Sequence, residues 1–431
     1  MNARTADAVV IGAGIAGCST AYYLSREGFN VVVVDKGEVG DEQSSRAWGF
    51  VRQQARAARE LPLMMAGALV WQQMEQELGA DVEWTRGGSL TLAGDEEILS
   101  RIHVWLKVGE QFGIETRFLT NEDVKELVPA MQGEWLGAMY TPSDGHAQPD
   151  KATNALAVGA REHGARFRTK EAVEDIEVTD GRVSAVVTDK GRIVTRHVVC
   201  AAGAWSHKVA RMVGLTLPYR IVRASVGQTN PTEPVTDMAV IGPRIAFRQR
   251  PSGEFYIAPG PGGTDYDVDL DSFKHVRLFM PNFRRNREMF KVHFGGALIK
   301  DILRSLPGAP ARRHPFAHTV GVEPEPNRKV IDRALNTFKS LFPDQHYLTI
   351  ERYWSGRIDA TPDALPVLGE ARSPKGFYFC TGFSGRGIGI GPVAGKVTAE
   401  LIADGQPSVD VLPLRHSRFE ERDMDMIKAV V

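Results

Sequence analysis

Cysteine is scarce: Cys18, Cys200 and Cys380 are the whole set, far apart and without a C-x-x-C pair. That excludes a disulfide framework and a thiolate zinc site. It reads as small buried side chains in a reducing compartment, the cytoplasm. Long apolar runs are missing too. None approaches the roughly 18 residues that a membrane-spanning helix needs, and the longest candidate, 61–71, carries Pro62. The first strand pattern starts near residue 7, which leaves no room for a signal peptide. Neither charge sign dominates. The net charge is -1, so bulk attraction to nucleic acid is not expected. The 11 histidines show no zinc-like spacing, and His314 and His318 lie in a Pro-flanked stretch without H-E-x-x-H, so no metal site is expected. There is no internal repeat and no low-complexity tract. What is present is ordinary for a globular chain, 43% hydrophobic and 24% charged. At 431 residues it is too long for one compact core, and two lobes are expected.

The most informative stretch is 7–36. Ala8 to Ile11 is a short apolar run suited to a buried parallel strand. Gly12, Gly14 and Gly17 make a G-x-G-x-x-G turn into a helix from Ile15 to about Arg26, which stops near Gly28. A second buried strand, Val31 to Val34, ends on Asp35. Gly12 permits the tight turn, Gly14 lets backbone approach a pyrophosphate, and Gly17 lets helix and strand pack closely. The helix N-terminus, with Ile15 and Ala16, offers N–H groups to negative charge. Asp35, followed by Lys36, stands where an acid accepts hydrogen bonds from an adenosine ribose. The unit predicts dinucleotide binding and leaves NAD and FAD both open.

Further on, helices are expected near 63–78, 96–112 and 150–163, and a strand at 89–92. A strand meander covers 172–178, 183–188 and 191–199, with turns at Asp180-Gly181 and Lys190-Gly191. His197 to Gly203 is a second buried strand that breaks at a glycine and enters a helix near Ser206. From 217 to 331 short strands and many turns suggest a more antiparallel lobe. Gly376 to Cys380 is again a strand, followed by T-G-F-S-G-R-G-I-G-I-G and a helix over 392–403. The expected fold is α/β with two lobes. A Rossmann-like domain formed by 1–83, 146–216 and 332–410 holds an inserted, mostly antiparallel substrate domain formed by 84–145 and 217–331. A C-terminal tail covers 411–431. The 274–304 segment mixes eight basic residues with Phe279, Phe283, Phe290 and Phe294. A solvated amphipathic cap is the simpler reading, and a docking surface for a subunit partner or a membrane face is the alternative.

The C-terminal glycine-rich unit separates the cofactors. An NAD enzyme has no need of a strand-loop-helix returning to the sheet so late in the chain, whereas a flavin ring lies far from its adenosine. N–H groups in 385–389 and at the start of the following helix could stabilise charge on the reduced ring. FAD is therefore the expected cofactor. The motifs Y-T-P-S-D-G-H-A-Q-P-D (140–150), V-V-C-A-A-G-A-W-S (198–206), Y-W-S-G-R-I-D-A-T-P-D-A-L-P-V-L-G (353–369) and F-Y-F-C-T-G-F-S-G-R-G-I-G-I-G-P-V-A-G (377–395) stand beside the opening unit. Together they resemble the D-amino-acid oxidase superfamily of FAD-dependent oxidoreductases, over almost the whole chain. Within it the resemblance is strongest to the glycine oxidase, sarcosine oxidase and sarcosine oxidase beta-subunit group.

The resemblance implies several site residues. Ser44, Ser45, Arg46, Ala47, Trp48 and Gly49 would wrap the flavin pyrophosphate and ring. Val173 would hold the adenine through its backbone. Ala201, Ala202, Gly203 and Trp205 would flank the adenosine side. Gly356 and the run Gly382, Phe383, Ser384, Gly385, Gly387, Ile388 and Gly389 would approach the ring. Asp363 is left between a turn brace and a functional acid. Two departures matter. Gly356 stands where monomeric sarcosine oxidases attach the flavin through cysteine, so the FAD is expected to be non-covalent. No lysine appears in 257–265, where those oxidases use one for oxygen, which favours a dehydrogenase with a quinone or protein acceptor over an oxidase.

The implied chemistry is oxidation, at the α-carbon, of an amine bearing a carboxylate: an N-methyl, D-, cyclic or opine-type amino acid. The cofactor carries such chemistry, and the protein orients the substrate. A carboxylate calls for arginine, whose planar fork binds it bidentately. Arg52 is the first candidate, Arg386 the second, and Tyr256 matches an active-site tyrosine. Arg357 and Arg248 are weaker. The alternatives are a flavin-binding beta-like subunit of a multi-chain dehydrogenase, and oxidation of a 2-hydroxy acid or glycerol phosphate.

Overall fold

The computed structural model describes residues 5–260, 263–306, 316, 319 and 322–424. His314 and His318 lie outside the described residues. The first lobe is built on a six-stranded sheet in the order Val367–Glu370, Phe377–Thr381, His197–Cys200, Ala8–Ile11, Val31–Val34, Arg166–Arg168. The Ala8–Ile11 strand is central and pairs in parallel with Val31–Val34 and His197–Cys200. Apart from His197 at one strand end, these three strands are apolar because both faces are covered. Ala8, Val10, Val31 and Val33 enter one core with the helices Ile15–Arg26, Pro149–Glu162 and Gly387–Ala403. Val9, Ile11, Val32 and Val34 enter another, with Val173, Ile176, Val183 and Val186 of a three-stranded antiparallel sheet and Val209 of the Ser206–Met212 helix. The alternation follows from the two-residue period of a strand.

The second lobe is a ten-stranded, mainly antiparallel sheet. It takes Ser89–Ala93, Arg117–Leu119 and Gly137–Thr141 from the earlier insertion, and the remaining strands from residue 220 onward. The Arg328–Leu341 helix covers one face, burying Ala334, Leu335 and Phe338 against Phe247 and Phe255.

Three boundaries differ from the sequence reading. The first lobe resumes near 361 instead of 332, because Ile350–Ala360 pairs along its length with Arg220–Thr229. The meander's third strand divides: Gly191–Val194 stays in the small sheet, and His197–Cys200 joins the parallel one. The last long helix spans Gly387–Ala403, with Pro392 inside it. Glycine disfavours helix, but here it permits close packing. A Cβ on Gly391 would lie 2.7 Å from Ile15 Cγ2, and one on Gly395 would lie 2.5 Å from the Ser19 Cβ. The Ser19 hydroxyl donates to the Pro392 carbonyl at 2.6 Å.

The 274–304 segment leaves both readings, solvated cap and docking surface, open. Val276–Asn286 and Gly296–Ser305 are helical, and Phe294, Ile299 and Leu303 are exposed. Residues 411–424 pack against the first lobe, burying Leu414, Arg418 and Phe419. Among the described residues no helix is long and apolar enough to cross a membrane, and no group of three His, Cys, Asp or Glu could hold a metal ion.

Candidate functional site

One cavity of about 750 Å³ receives residues from both lobes. Of the site residues expected from the sequence, all but Gly17, Ser45, Arg248, Tyr256, Gly382 and Gly389 line it.

At one end lies the glycine turn. Gly12 has φ +111, and a Cβ there would lie 2.3 Å from the Ala201 carbonyl oxygen. A Cβ on Gly17 would lie 1.9 Å from the Gly12 oxygen, so Gly17 packs behind the turn. The helix begins at Ile15, whose N–H donates to Ser44 Oγ at 2.9 Å. That hydroxyl retains a proton to offer an anion. Asp35 accepts the Ala13 and Gly37 N–H groups, each at 2.7 Å, one per carboxylate oxygen. Each oxygen keeps a lone pair for a hydroxyl donor. Burial pushes the Asp35 carboxyl up. Lys36 pairs with Glu42, which also accepts from the Trp205 indole at 2.8 Å. Arg46 pairs with Glu323 and donates to Ser45 Oγ at 2.8 Å, so Ser45 serves the wall from behind.

Asp359, missed in the sequence, ties this end to the C-terminal turn. It is buried and accepts from Tyr219 Oη (2.7 Å), Gln43 Nε2 (3.1 Å) and the N–H groups of Gly382 (2.9 Å) and Phe383 (3.1 Å). Asp359 and Phe383 line the cavity, and Gly382 does not. Gly389 sits within the last helix, its carbonyl accepting from the Trp71 indole at 3.2 Å. The helix presents Arg386, Gly387 and Ile388 to the cavity instead.

Tyr256 belongs to a buried network at the lobe junction. Its ring lies under the Arg248 guanidinium at 4.6 Å and packs on Trp354, and its hydroxyl accepts from Gln148 Nε2 at 3.0 Å. Arg248 is fully buried, donating to Gln148 Oε1 at 2.9 Å and to the Trp48 carbonyl. Neither lines the cavity. Arg357 does, with its guanidinium 5.6 Å from the Trp205 ring.

The 50–60 segment carries the remaining charge. Phe50–Val51 pairs with Gly145–His146. The backbone N–H groups of Gln53 and Gln54 donate to Asp144 at 2.8 and 3.3 Å. The Gln54 amide donates to Ser89 O, Met139 O and Thr141 Oγ1, which pins the segment to the large sheet. Ala55 follows at φ +61 and lines the cavity, as do Ala364 (φ 57) and Ser384 (φ 50). Non-glycine residues in this region cost on the order of 1 kcal/mol each and gather where a site requires them. Arg52 is buried, and its Nη1 has no hydrogen-bond partner among the described residues. Burial holds its pKa down to about 10, with Asp144 opposing and Arg386 adding to the depression. Arg56, also lining the cavity, went unnoticed in the sequence, although R-x-x-x-R was there to be read. Arg386 pairs with the buried Glu60 at 3.3 Å.

Burial raises Asp144 to about 6, against the N–H groups it accepts from Gln53 and Gln54. Its folded value exceeds the ordinary ~3.9, so its stability contribution is full at low pH and is lost as pH rises through about 6. Below that pH Asp144 is neutral and Arg52 is unopposed. A carboxylate ligand lacking an amine should therefore bind roughly 3–5-fold more weakly at pH 7 than at pH 5, a Coulombic change of about 1 kcal/mol. Titration of the visible spectrum across that range checks this, and a flat profile would discount Asp144.

The donor set fits FAD. The cavity joins a glycine turn that any Cβ would fill, a helix N-terminus, a ribose-type acid and, elsewhere on its wall, an unpartnered buried guanidinium. Fold and site together define a two-lobe dinucleotide-binding oxidoreductase. The model of the FAD dependent oxidoreductase family matches residues 7–401, and the chain belongs to that family. Its cofactor is FAD. The chain is similar to mouse (Mus musculus) mitochondrial sarcosine dehydrogenase, 27% identical over 96% of this chain and 41% of that protein. It is similar to 4-methylaminobutanoate oxidase (formaldehyde-forming) of Paenarthrobacter nicotinovorans, 28% identical over 95% of this chain and 45% of that protein. The chain thus spans less than half the length of both. Among solved structures, the L-amino acid deaminase of Proteus myxofaciens, in complex with anthranilate, superposes with a TM-score of 0.88 at 28% identity, covering 96% of this chain and 94% of that one.

Proposed function

We propose that this chain oxidises, at the α-carbon, an amine that bears a carboxylate, using non-covalent FAD. The observation that carries the reading is Arg52, a buried guanidinium on the cavity wall with an unpartnered Nη1. Leaving such a group without a counter-ion is costly, and a substrate carboxylate would supply one. The relatives agree in kind, being named for sarcosine, 4-methylaminobutanoate and L-amino acids. When bound, the flavin supplies the two-electron oxidation of amine to imine. The protein's part is to fix the carboxylate at Arg52 and to hold Gly12, Gly14, Ser44 and Asp35 against the dinucleotide. The three free cysteines are buried, and none lines the cavity among the described residues, which supports non-covalent attachment and a cytoplasmic location.

Purified protein should be yellow, and anaerobic addition of a suitable amino acid should bleach it. Arg52→Met should raise the apparent dissociation constant of that substrate about 100-fold, the size expected when one partner of a buried charge pair is removed. If a broad amine panel leaves the flavin oxidised while a 2-hydroxy acid or glycerol phosphate reduces it, the amine reading fails. Mixing the reduced protein with oxygen then separates oxidase from dehydrogenase. The lysine-free 257–265 strand region supports the dehydrogenase. A second reading, a flavin-bearing subunit that docks a partner chain, is favoured by the exposed Phe273, Phe294, Ile299 and Leu303 beside a basic segment. Full turnover by the isolated, monodisperse chain with an artificial acceptor would remove it.

A further inference from the structure

Five arginines line the cavity; Arg46 pairs with Glu323 and Arg357 lies over the Trp205 ring, which leaves Arg52, Arg56 and Arg386. Their counter-charge is short. Glu60 pairs with Arg386 at 3.3 Å. Asp144 is occupied by the N–H groups of Gln53 and Gln54 and does not line the cavity. Among the described residues no carboxylate forms an ion pair with Arg52 or Arg56. Arg56 Nε donates to the Arg52 carbonyl at 3.2 Å, which ties the two arginines together across the left-handed Ala55. The dinucleotide phosphates have their own donors in the Ile15 helix and Ser44. Arg52, which is buried, and its half-buried neighbour Arg56 therefore have no direct ion-pair partner among the described residues, although the charges of Asp144 and Glu60 reach both. A substrate with one carboxylate would satisfy one of them and leave the other desolvated and alone.

We propose that the substrate carries two carboxylates: an amino or N-alkylamino dicarboxylate, with one acid group at Arg52 and the second at Arg56. Burial, together with the charges of Arg52 and Arg386, presses the Arg56 pKa well below its ordinary value, in keeping with a cluster that lacks anions. The kind of substrate rests on the amine-oxidation reading. Its charge rests on the arginines alone.

The test separates the two. The purified FAD-bound protein is titrated with succinate and glutarate against propionate and butyrate, following both the flavin difference spectrum and the thermal unfolding midpoint. Neither readout requires turnover. The dicarboxylates should bind at least 10-fold more tightly. In Arg56→Gln that ratio should fall to within about 2-fold, and Arg56→Lys, which keeps charge without the fork, should restore part of it. Anaerobic bleaching by matched pairs, N-methylalanine with N-methylaspartate and D-alanine with D-aspartate, should show the same preference. Equal binding of mono- and dicarboxylates by the unmodified protein overturns the proposal, as does a preference that survives in Arg56→Gln. Tight dicarboxylate binding with no amine able to bleach the flavin would support the two-carboxylate site and sink the amine reading instead.

Discussion

Replacing Arg418 by methionine should destabilise the protein by about 3–5 kcal/mol, the cost of leaving one member of a buried ion pair behind. Both partners are fully buried. Arg418 donates Nε to Asp363 Oδ2 at 2.8 Å and Nη2 to Oδ1 at 3.0 Å, a bidentate fork. Its remaining donors reach the carbonyls of Leu414 (2.8 Å) and Leu365 (3.0 Å). Methionine fills much of the same volume but strands the Asp363 carboxylate and leaves both carbonyls without this donor. The consequence extends to the cofactor, because Asp363 and Ala364 line the cavity. Denaturant unfolding should show the loss in midpoint, and flavin should leave at lower denaturant than in the parent. The double change Asp363→Leu with Arg418→Met should recover part of the stability, since it removes the lone charge. A loss under about 1 kcal/mol for the single change would mean that the pair is solvated in solution.

Gly12→Val should yield protein without flavin. The Cβ would lie 2.3 Å from the Ala201 oxygen and 2.7 Å from its carbon, both backbone atoms at the end of a central strand. At φ +111 a β-branched residue adds strain of about 1–3 kcal/mol. Neither problem relaxes without moving the two strands that hold the turn. We expect affinity for FAD to fall at least about 100-fold, close to 3 kcal/mol, measured by reconstituting the apoprotein and following flavin fluorescence. Gly28→Ala is the control. It also has positive φ (+83), but nothing lies within 4 Å of its Cβ. It should cost about 1 kcal/mol of stability and keep the yellow colour. A yellow Gly12→Val protein would show that the turn does not approach the cofactor.

The opening unit was legible because every part of it is local. Strand, glycines, helix and Asp35 fall within one stretch whose periods and turn chemistry can be read directly. The two-lobe plan was legible for a related reason, as apolar runs gave way to short strands and turns. What failed was non-local. The strand Ile350–Ala360 reads alike for either lobe, and only its pairing with Arg220–Thr229 assigns it. The early start of the last helix depends on Ile15 and Ser19 pressing against Gly391 and Gly395, which overrides poor helix propensity. Tyr256 lies off the cavity wall, in contact with Arg248 and Gln148 at the lobe junction, and such long-range contacts have no local pattern. Asp363 was read as either brace or acid because its partner, Arg418, lies 55 residues further along. Left-handed backbone at Ala55 and Ala364 leaves no trace in residue type, so the strain around the cavity could only be seen in three dimensions.

The spacing of that clasp along the chain also sets a timetable. Elongation at about 5–20 residues per second puts roughly 20–80 s between the emergence of Gly12 and that of Arg418. During that interval the glycine turn and the Ile15 helix can form, but the wall carrying Gly356 to Ile388 has yet to be made or locked. The Arg418 clasp on Asp363 can therefore close only long after the glycine turn has emerged.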